Sequence, residues 1–160
     1  MKRSSTIFLQ IVIVAVGLGA LALMLWEPHL EGRNAHASLF QIYFNDPFLA
    51  YGYIASTAFF IALYQAFKLL GYIGRNEVFS HRSVKVLWTI KYCAMSLVIF
   101  IVAAEAYLFI AVRGKDDIAG GVAMGVFLIF VSAVIATAAA VFERTLQSAV
   151  DIKSENDLTV

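Results

Sequence analysis

The chain has 160 residues, of which 61% are hydrophobic and 14% charged, and its mean hydropathy is +0.82. A soluble domain carries about a quarter charged residues, so this composition excludes an ordinary water-soluble domain. The formal net charge of +1 argues against direct nucleic-acid binding, and the one cysteine, Cys93, can close no intramolecular disulfide and build no zinc cage.

Four apolar segments are long enough to cross a bilayer. The hydrocarbon core is about 30 Å thick and a helix rises about 1.5 Å per residue, so a span needs roughly 20 apolar residues. The segments are 7–26, 48–70, 86–112 and 118–142. Only a helix satisfies its own backbone hydrogen bonds within one segment in lipid. The sequence therefore predicts an all-α bundle of four transmembrane helices, forming a single membrane domain over 1–160 with a helical tail at 143–160.

The first span has an alternative interpretation as a cleaved signal peptide. Lys2 and Arg3 precede the apolar run, and Ala20 and Ala22 resemble a small-residue cleavage site. The apolar run continues past that site to Trp26 and is longer than a usual signal core, which favours a retained helix.

The connection from Glu27 to Pro47 is the longest in the chain. His29, Glu31 and His36 within it could bind a metal, and imidazole titrates near pH ~6.5. Solvated polar residues are the more common interpretation of such a loop, so we predict no metal site. Pro47 suits the first turn of the second helix, where a missing N–H costs nothing.

The basic residues predict the orientation of the chain. With the N-terminus inside, most cations lie in or beside the cytoplasm: Lys2, Arg3, Lys68, Arg75, Arg82, Lys85, Lys91, Arg144 and Lys153. The cations on the outer side are fewer: Arg33, Arg113 and Lys115. The positive-inside rule then predicts that both termini are cytoplasmic.

The cytoplasmic connection between the second and third spans is short. The stretch from Gly71 to Asn76 contains residues that end helices, and Ser80 is a suitable N-cap for the third helix. A short connection predicts that these two helices are antiparallel neighbours.

The fourth helix is expected to continue beyond the membrane. Phe142, Leu146 and Val150 recur at a spacing of four while polar residues lie between them. From Ser154 onward the apolar period is lost, which predicts fraying.

Glu105 is the carboxylate inside a predicted span. A charged group there costs ~2.5–3.5 kcal/mol on insertion scales, so it usually faces protein or water and finds a partner. The second span presents hydroxyl groups at a similar depth: Tyr51, Tyr53, Ser56 and Thr57. We predict a polar intramembrane site from these five residues. It would act as a proton or cation site, or, as is more common, as a polar clamp between helices or a carboxylate that stays wet.

The fourth span contains a GxxxG pattern at Gly121 and Gly125. Glycines at this spacing let two helices approach closely. Packing within the bundle is the more common outcome, and homo-oligomerisation through these glycines is the alternative.

Motifs for enzymatic chemistry are absent from the sequence. It holds no P-loop, dinucleotide fingerprint, zinc-protease motif or nucleophile elbow. A haem between helices would need axial ligands there, and no histidine lies in a predicted span. We therefore predict neither an enzyme nor a bound cofactor.

Three parts of the chain carry a family resemblance. They are FFIALYQAFKLL from Phe59, the inner-loop residues Phe79-Ser80, Ser83-Val84-Lys85 and Ile90-Lys91-Tyr92-Cys93, and the terminal DIKSENDLTV. With them, nearly the whole chain resembles the bacterial membrane proteins of domain-of-unknown-function family 2975. The resemblance implies a small four-span protein of the bacterial plasma membrane. It also implies gene neighbourhood with a small helix-turn-helix repressor, which is common among members.

The leading functional hypothesis is a non-enzymatic signalling or regulatory protein that binds a cytoplasmic partner. The candidate partner surface comprises Phe79, Ser80, Lys85, Lys91, Asp151, Lys153, Glu155 and Asp157. One alternative is a small oligomeric transporter in which Glu105 is the proton-coupled site. Another is immunity against membrane-active peptides.

Overall fold

Four long helices make up the described part of the chain. The computed structural model describes residues 3–26, 40, 47–112 and 118–158, and within them it contains helices and no strand. The helices are α1 (Arg3–Trp26), α2 (Pro47–Gly74), α3 (His81–Tyr107) and α4 (Ala119–Leu158). Each contains a segment long and apolar enough to cross a membrane, which confirms the predicted four-helix membrane fold. The orientation of the termini stays a prediction.

Two predicted regions lie outside the described residues. They are the outer-loop cluster of His29, Glu31 and His36, and the connection at 113–117.

The N-terminal ends of α2 and α3 follow the local rules of helix initiation. α2 begins at Pro47, as predicted. Ser80 precedes α3 with extended backbone angles, φ −147° and ψ 149°, and its hydroxyl oxygen accepts a hydrogen bond from the Ser83 N–H at 3.4 Å. The predicted N-cap is therefore confirmed, because this oxygen satisfies an N–H that has no partner within the helix.

The C-terminal end of α2 is a Schellman motif. Asn76 adopts the left-handed conformation with φ 59°. The Glu77 N–H donates to the Tyr72 carbonyl at 2.9 Å, and the Asn76 N–H donates to the Ile73 carbonyl at 3.2 Å. This pairing satisfies the last carbonyl groups of α2 and reverses the chain into α3.

α1 packs antiparallel against α2. The contacts between them run in opposite chain directions: Thr6 with Gly74, Gln10 with Phe67, Gly17 with Leu63, and Met24 with Tyr53. Two of these contacts are hydrogen bonds: the Gln10 amide donates to the Phe67 carbonyl at 3.2 Å, and the Tyr53 hydroxyl donates to the Met24 carbonyl at 2.9 Å. Most other α1 side chains are exposed on the protein surface, where lipid surrounds them in a membrane.

α3 and α4 pack along a heptad seam. The seam positions alternate in spacing between three and four residues, and all are buried or half-buried. On α3 they are Leu87, Lys91, Ala94, Val98, Ile101 and Glu105, and Leu108 continues the pattern directly after α3. On α4 they are Gly125, Ile129, Ser132, Ala136, Ala139, Glu143, Leu146 and Val150. This spacing is the one that lets two helices interlock side chains at a shallow crossing angle.

The hydrophobic core lies nearer the end of the bundle where α2 turns into α3. Val86 and Ile90 of α3 cluster with Ala139 of α4, and α2 covers this cluster with Ala66, Leu69 and Tyr72. Ser83 is fully buried beneath the turn that enters α3. Three helices therefore meet at this end of the bundle.

α4 extends well past the predicted fourth span. It is one helix of 40 residues that continues past the predicted end of the span at 142 and reaches Leu158, so the predicted fraying from Ser154 is wrong. That this continuation lies outside the membrane stays a prediction. Leu146 and Val150 are 9% and 5% exposed, whereas Phe142 is 63% exposed and points away from the seam. Helix propagation from an existing helix needs no new nucleus, which explains the ordered last turns.

Candidate functional site

Glu105 lies on the face of α3 that contacts α4. A Cβ atom added to Gly125 would come within 2.6 Å of the Glu105 carboxyl carbon and 3.2 Å of its Cγ. The carboxyl group therefore packs directly on the α4 backbone, and Gly125 is buried beneath it. Only glycine leaves room for this approach.

One oxygen of this carboxyl group has no hydrogen-bond partner. Glu105 Oε2 is buried and accepts no hydrogen bond from any residue that the structure describes. A buried acceptor without a partner costs about 1–3 kcal/mol, and more if it is charged. Glu105 is therefore the least satisfied polar group of the α3–α4 contact.

The hydroxyl groups predicted to pair with Glu105 bond elsewhere. Tyr51 donates to the Phe100 carbonyl at 2.7 Å, and Tyr53 donates to the Met24 carbonyl. Ser56 and Thr57 donate to the Tyr53 carbonyl within α2, at 2.8 and 3.3 Å. The structure thus does not bring the predicted polar cluster together, because α2 contacts a different face of α3 from the one that carries Glu105.

The contacts of Tyr51 and Phe48 identify that second face of α3. Tyr51 packs edge-on against Phe100, with ring centroids 5.6 Å apart, and Phe48 stacks on Tyr107 at 5.8 Å. Phe100 and Tyr107 are one heptad apart and lie beside the seam rather than in it.

A π-helical turn, Leu108–Val112, follows directly after α3. The Leu108 N–H reaches both the Ala104 and the Glu105 carbonyl groups. Such widened turns are rare and occur often at functional sites. This turn was not predicted, because no residue pattern in 108–112 signals it.

The glycines of the predicted oligomer interface have different environments. Gly125 is covered by Glu105 of its own chain, whereas Gly121 is exposed, and a Cβ added there would lie 3.5 Å from Leu108 Cδ1. Gly125 thus serves packing within the bundle. Self-association through Gly121 stays a prediction.

An ion pair joins the inner part of the same seam. The Lys91 ammonium donates to Glu143 Oε2 at 2.6 Å, and the two side chains are 20% and 17% exposed. The ammonium also lies 4.9 Å from the ring centroid of Tyr92. Lys91 is therefore half-buried and paired within its own chain, and its part in a partner surface stays a prediction.

Glu143 is a site residue that was not predicted from the sequence. The available signal was its position, one turn from Ala139 and Leu146 in the α4 heptad pattern, combined with the rule that a cation within a span usually has a partner.

The other residues of the candidate partner surface lie in different environments. Phe79 is 58% exposed, and Lys85, Asp151, Lys153 and Glu155 are exposed as well. Ser80 is used as the α3 cap. The side chain of Asp157 lies outside the described residues.

A cavity of about 550 Å³ opens between α2, α3 and α4. Its walls are apolar apart from Tyr53, Ser56 and Ser132. This volume lies within the range of small-molecule sites, about 300–1,000 Å³. The lining is suited to an apolar molecule or to a lipid chain.

Comparison with known proteins gives the relationships of the chain. A sequence model of the family described as "Protein of unknown function (DUF2975)" matches residues 32–160. The "Uncharacterized membrane protein YoaS" of Bacillus subtilis (strain 168) is 44% identical over 161 residues, which cover 100% of each sequence. No solved structure matches the chain. These matches confirm the resemblance that the sequence predicted.

The contact between Glu105 and Gly125 can be tested with paired alanine variants. Gly125→Ala should be less stable than Gly121→Ala by about 1–2 kcal/mol, because its methyl group must displace the carboxyl group, a modest case of overpacking. Gly121→Ala makes only ordinary contact and so controls for the helix propensity gained on losing a glycine. Thermal unfolding of both proteins in one detergent measures the difference. In a Glu105→Ala background the difference should vanish; if it persists, Glu105 is not the group displaced.

The ion pair of Lys91 and Glu143 predicts a non-additive double mutant. Lys91→Met or Glu143→Leu alone should each destabilise the protein by about 2–3 kcal/mol, less than a fully buried pair would lose, because one charge is left without its partner. The double variant should come within about 1 kcal/mol of the wild type. Unfolding in urea with mild detergent measures all four proteins. Additive single effects would show that the pair is not coupled.

Proposed function

Because this chain belongs to the DUF2975 family, whose description names no activity, we propose its function from its own geometry. The proposed role is that of a non-enzymatic signalling or regulatory protein of the bacterial plasma membrane. Its cytoplasmic end, formed by the α2–α3 turn and the last turns of α4, would bind a soluble regulatory protein. The family resemblance favours a helix-turn-helix regulator as that partner.

The continuity of α4 supports this proposal. One helix of 40 residues contains Gly125 beneath Glu105, Glu143 in the ion pair, and the exposed turns after Val150. All residues from Asp151 to Asn156 are exposed. An isolated helix end of this length would be marginal in water, so the seam is what orders it. A rigid projecting helix is available to a partner without the entropy cost of ordering it on binding.

The charges of this helix end suggest the chemistry of the partner surface. Asp151 and Glu155 are one turn apart and therefore share a face, whereas Lys153 lies on another. The Gln147 amide donates to Asp151 Oδ1 at 2.7 Å and orients that carboxylate. A basic surface on the partner would complement this acidic face. Exposed Phe79 at the neighbouring turn offers an aromatic contact.

Charge reversal on the acidic face tests the proposal. The double variant Asp151→Lys/Glu155→Lys, and a chain ending at Val150, should each reduce the amount of soluble protein that co-purifies in mild detergent at least tenfold. Ile152→Lys is the matched control, because it adds a cation to the same helical turn without removing a carboxylate. Its recovery should equal that of the wild type.

Two results would contradict the proposed role. One is equal recovery of the partner with the shortened chain. The other is a topology in which the tail is external. For the second, Lys153→Cys in a Cys93→Ala background should react with an impermeant maleimide only after the cells are permeabilised.

A second candidate function rests on the unpartnered oxygen of Glu105. A carboxyl group that packs on Gly125 without a hydrogen bond to Oε2 could exchange a proton as substrates move through a small oligomeric transporter. The cavity of about 550 Å³ supports an apolar substrate.

Glu105→Gln tests this second function. In proteoliposomes with an imposed pH gradient, the wild type should take up the lipophilic cation tetraphenylphosphonium, and Glu105→Gln should abolish uptake. Glu77→Gln, which changes an exposed carboxylate of the α2–α3 turn, should leave uptake intact. Identical fluxes for the wild type and Glu105→Gln, or no flux with either, would remove this function.

A further inference from the structure

A polar pocket lies between α1 and α2 at their predicted cytoplasmic ends. It encloses about 450 Å³ and is lined by Thr6, Ile7, Gln10, Gly71, Gly74 and Arg75. It is separate from the Glu105 contact and from the acidic face of α4. Arg75 lies in the α2–α3 turn, but the partner contact proposed at that turn is made by Phe79.

Thr6, which lines this pocket, has an unpartnered hydroxyl group. The residue is 3% exposed, and its Oγ1 has no hydrogen-bond partner among the described residues. A Cβ added to Gly74 would lie 3.2 Å from Thr6 Cγ2, so glycine is what allows the threonine to sit against α2. Leaving a buried hydroxyl unpaired costs about 1–3 kcal/mol, which a ligand atom could recover.

The other polar groups of the pocket are mainly donors. The Gln10 amide uses one N–H for the Phe67 carbonyl and retains the second. Arg75 is exposed and makes no ion pair within the described residues, so its five N–H groups face solvent or a ligand. The last carbonyl groups of α2 already accept N–H groups of the Schellman turn. A hydroxyl, an amide N–H and a guanidinium together suit a phosphate group.

A separate apolar groove lies further along the same two helices. It encloses about 430 Å³ and is lined by residues such as Ile13, Gly17 and Leu21 of α1 with Leu63 and Phe67 of α2. Thr6, Gln10, Ile13 and Gly17 recur at spacings of four and three, so pocket and groove follow one face of α1. The distance from Gln10 to Leu21 is about 16 Å along the helix, close to half of a ~30 Å hydrocarbon core.

We propose that the α1–α2 groove binds one anionic phospholipid. Its phosphate contacts Thr6, Gln10 and Arg75, and one acyl chain lies in the apolar groove against Gly17 and Leu63. The polar pocket lies where the headgroups of one leaflet are expected, and the groove has the length of one leaflet. The bound lipid would fill a contact that is smaller than those of α2 with α3 and of α3 with α4, because α1 packs mainly on α2.

Native mass spectrometry of the full chain released from nanodiscs tests this site. Wild-type protein should retain one phosphatidylglycerol per chain in at least tenfold preference to phosphatidylcholine. Arg75→Gln and Thr6→Val should each reduce this retention at least fivefold. Arg82→Gln is the matched control, since Arg82 is also exposed and lies at the same end of the bundle outside the groove.

The outcomes distinguish a specific phospholipid site from general attraction to surface cations and from a free-phosphate site. If Arg82→Gln reduces the retention of phosphatidylglycerol as much as Arg75→Gln does, the lipid is attracted to surface cations in general. This result would overturn the proposal. Inorganic phosphate that competes fully with the lipid would show a free-phosphate site instead. An Arg75→Gln protein with wild-type unfolding behaviour but reduced lipid retention supports the site independently of folding.

Discussion

The contact between α3 and α4 is the constraint on which the rest of the structure depends. Along its seam the side chains alternate at three and four residues, and α4 contributes small ones such as Gly125, Ser132 and Ala139. In lipid there is little hydrophobic gain from pairing apolar helices, so close packing and polar contacts must supply the association. The seam supplies both, with an ion pair at Glu143 and a carboxyl group over Gly125.

Lys91 and Glu105, the two charged residues of α3 within the seam, differ in whether they have a polar partner. They are two heptads apart, which is about 21 Å along a helix. Lys91 has a carboxylate partner, whereas Glu105 Oε2 has none among the described residues. The ion pair of Lys91 fixes the register of α3 on α4. At Glu105, by contrast, a bound proton or cation would change the stability of the α3–α4 contact. Because α4 continues to Leu158, a change at Gly125 acts on the same helix that carries the proposed partner surface.

The four helices could be predicted because an apolar segment of about 20 residues has few alternatives in lipid. The Ser80 cap was also predictable, since the backbone before a helix demands an acceptor of that kind. The contacts of Glu105 could not be predicted. α3 is apolar nearly all round, so its sequence does not show which face meets α2 and which meets α4. Tyr51 lies at the right depth but contacts the Phe100 face.

The ion pair of Lys91 was not predicted either. The charge of Lys91 was counted toward the predicted cytoplasmic bias, but a charge near the end of a span can serve both topology and packing. The heptad position of Glu143 on α4 would have identified the partner had the small residues Ser132 and Ala139 been recognised as a seam. The α1–α2 groove, in contrast, depends on the approach of Thr6 to Gly74, which no sequence period encodes.

The most direct test of the central claim is the distance between the start of α3 and the projecting end of α4. Spin labels at Lys85→Cys and Lys153→Cys in a Cys93→Ser background occupy exposed positions on the two helices. Pulsed electron paramagnetic resonance in nanodiscs should give one narrow distance distribution, because the seam holds α4 on α3 up to Val150. A broad distribution would mean that the end of α4 moves independently of α3, and it would contradict the claim that the seam positions the proposed partner surface.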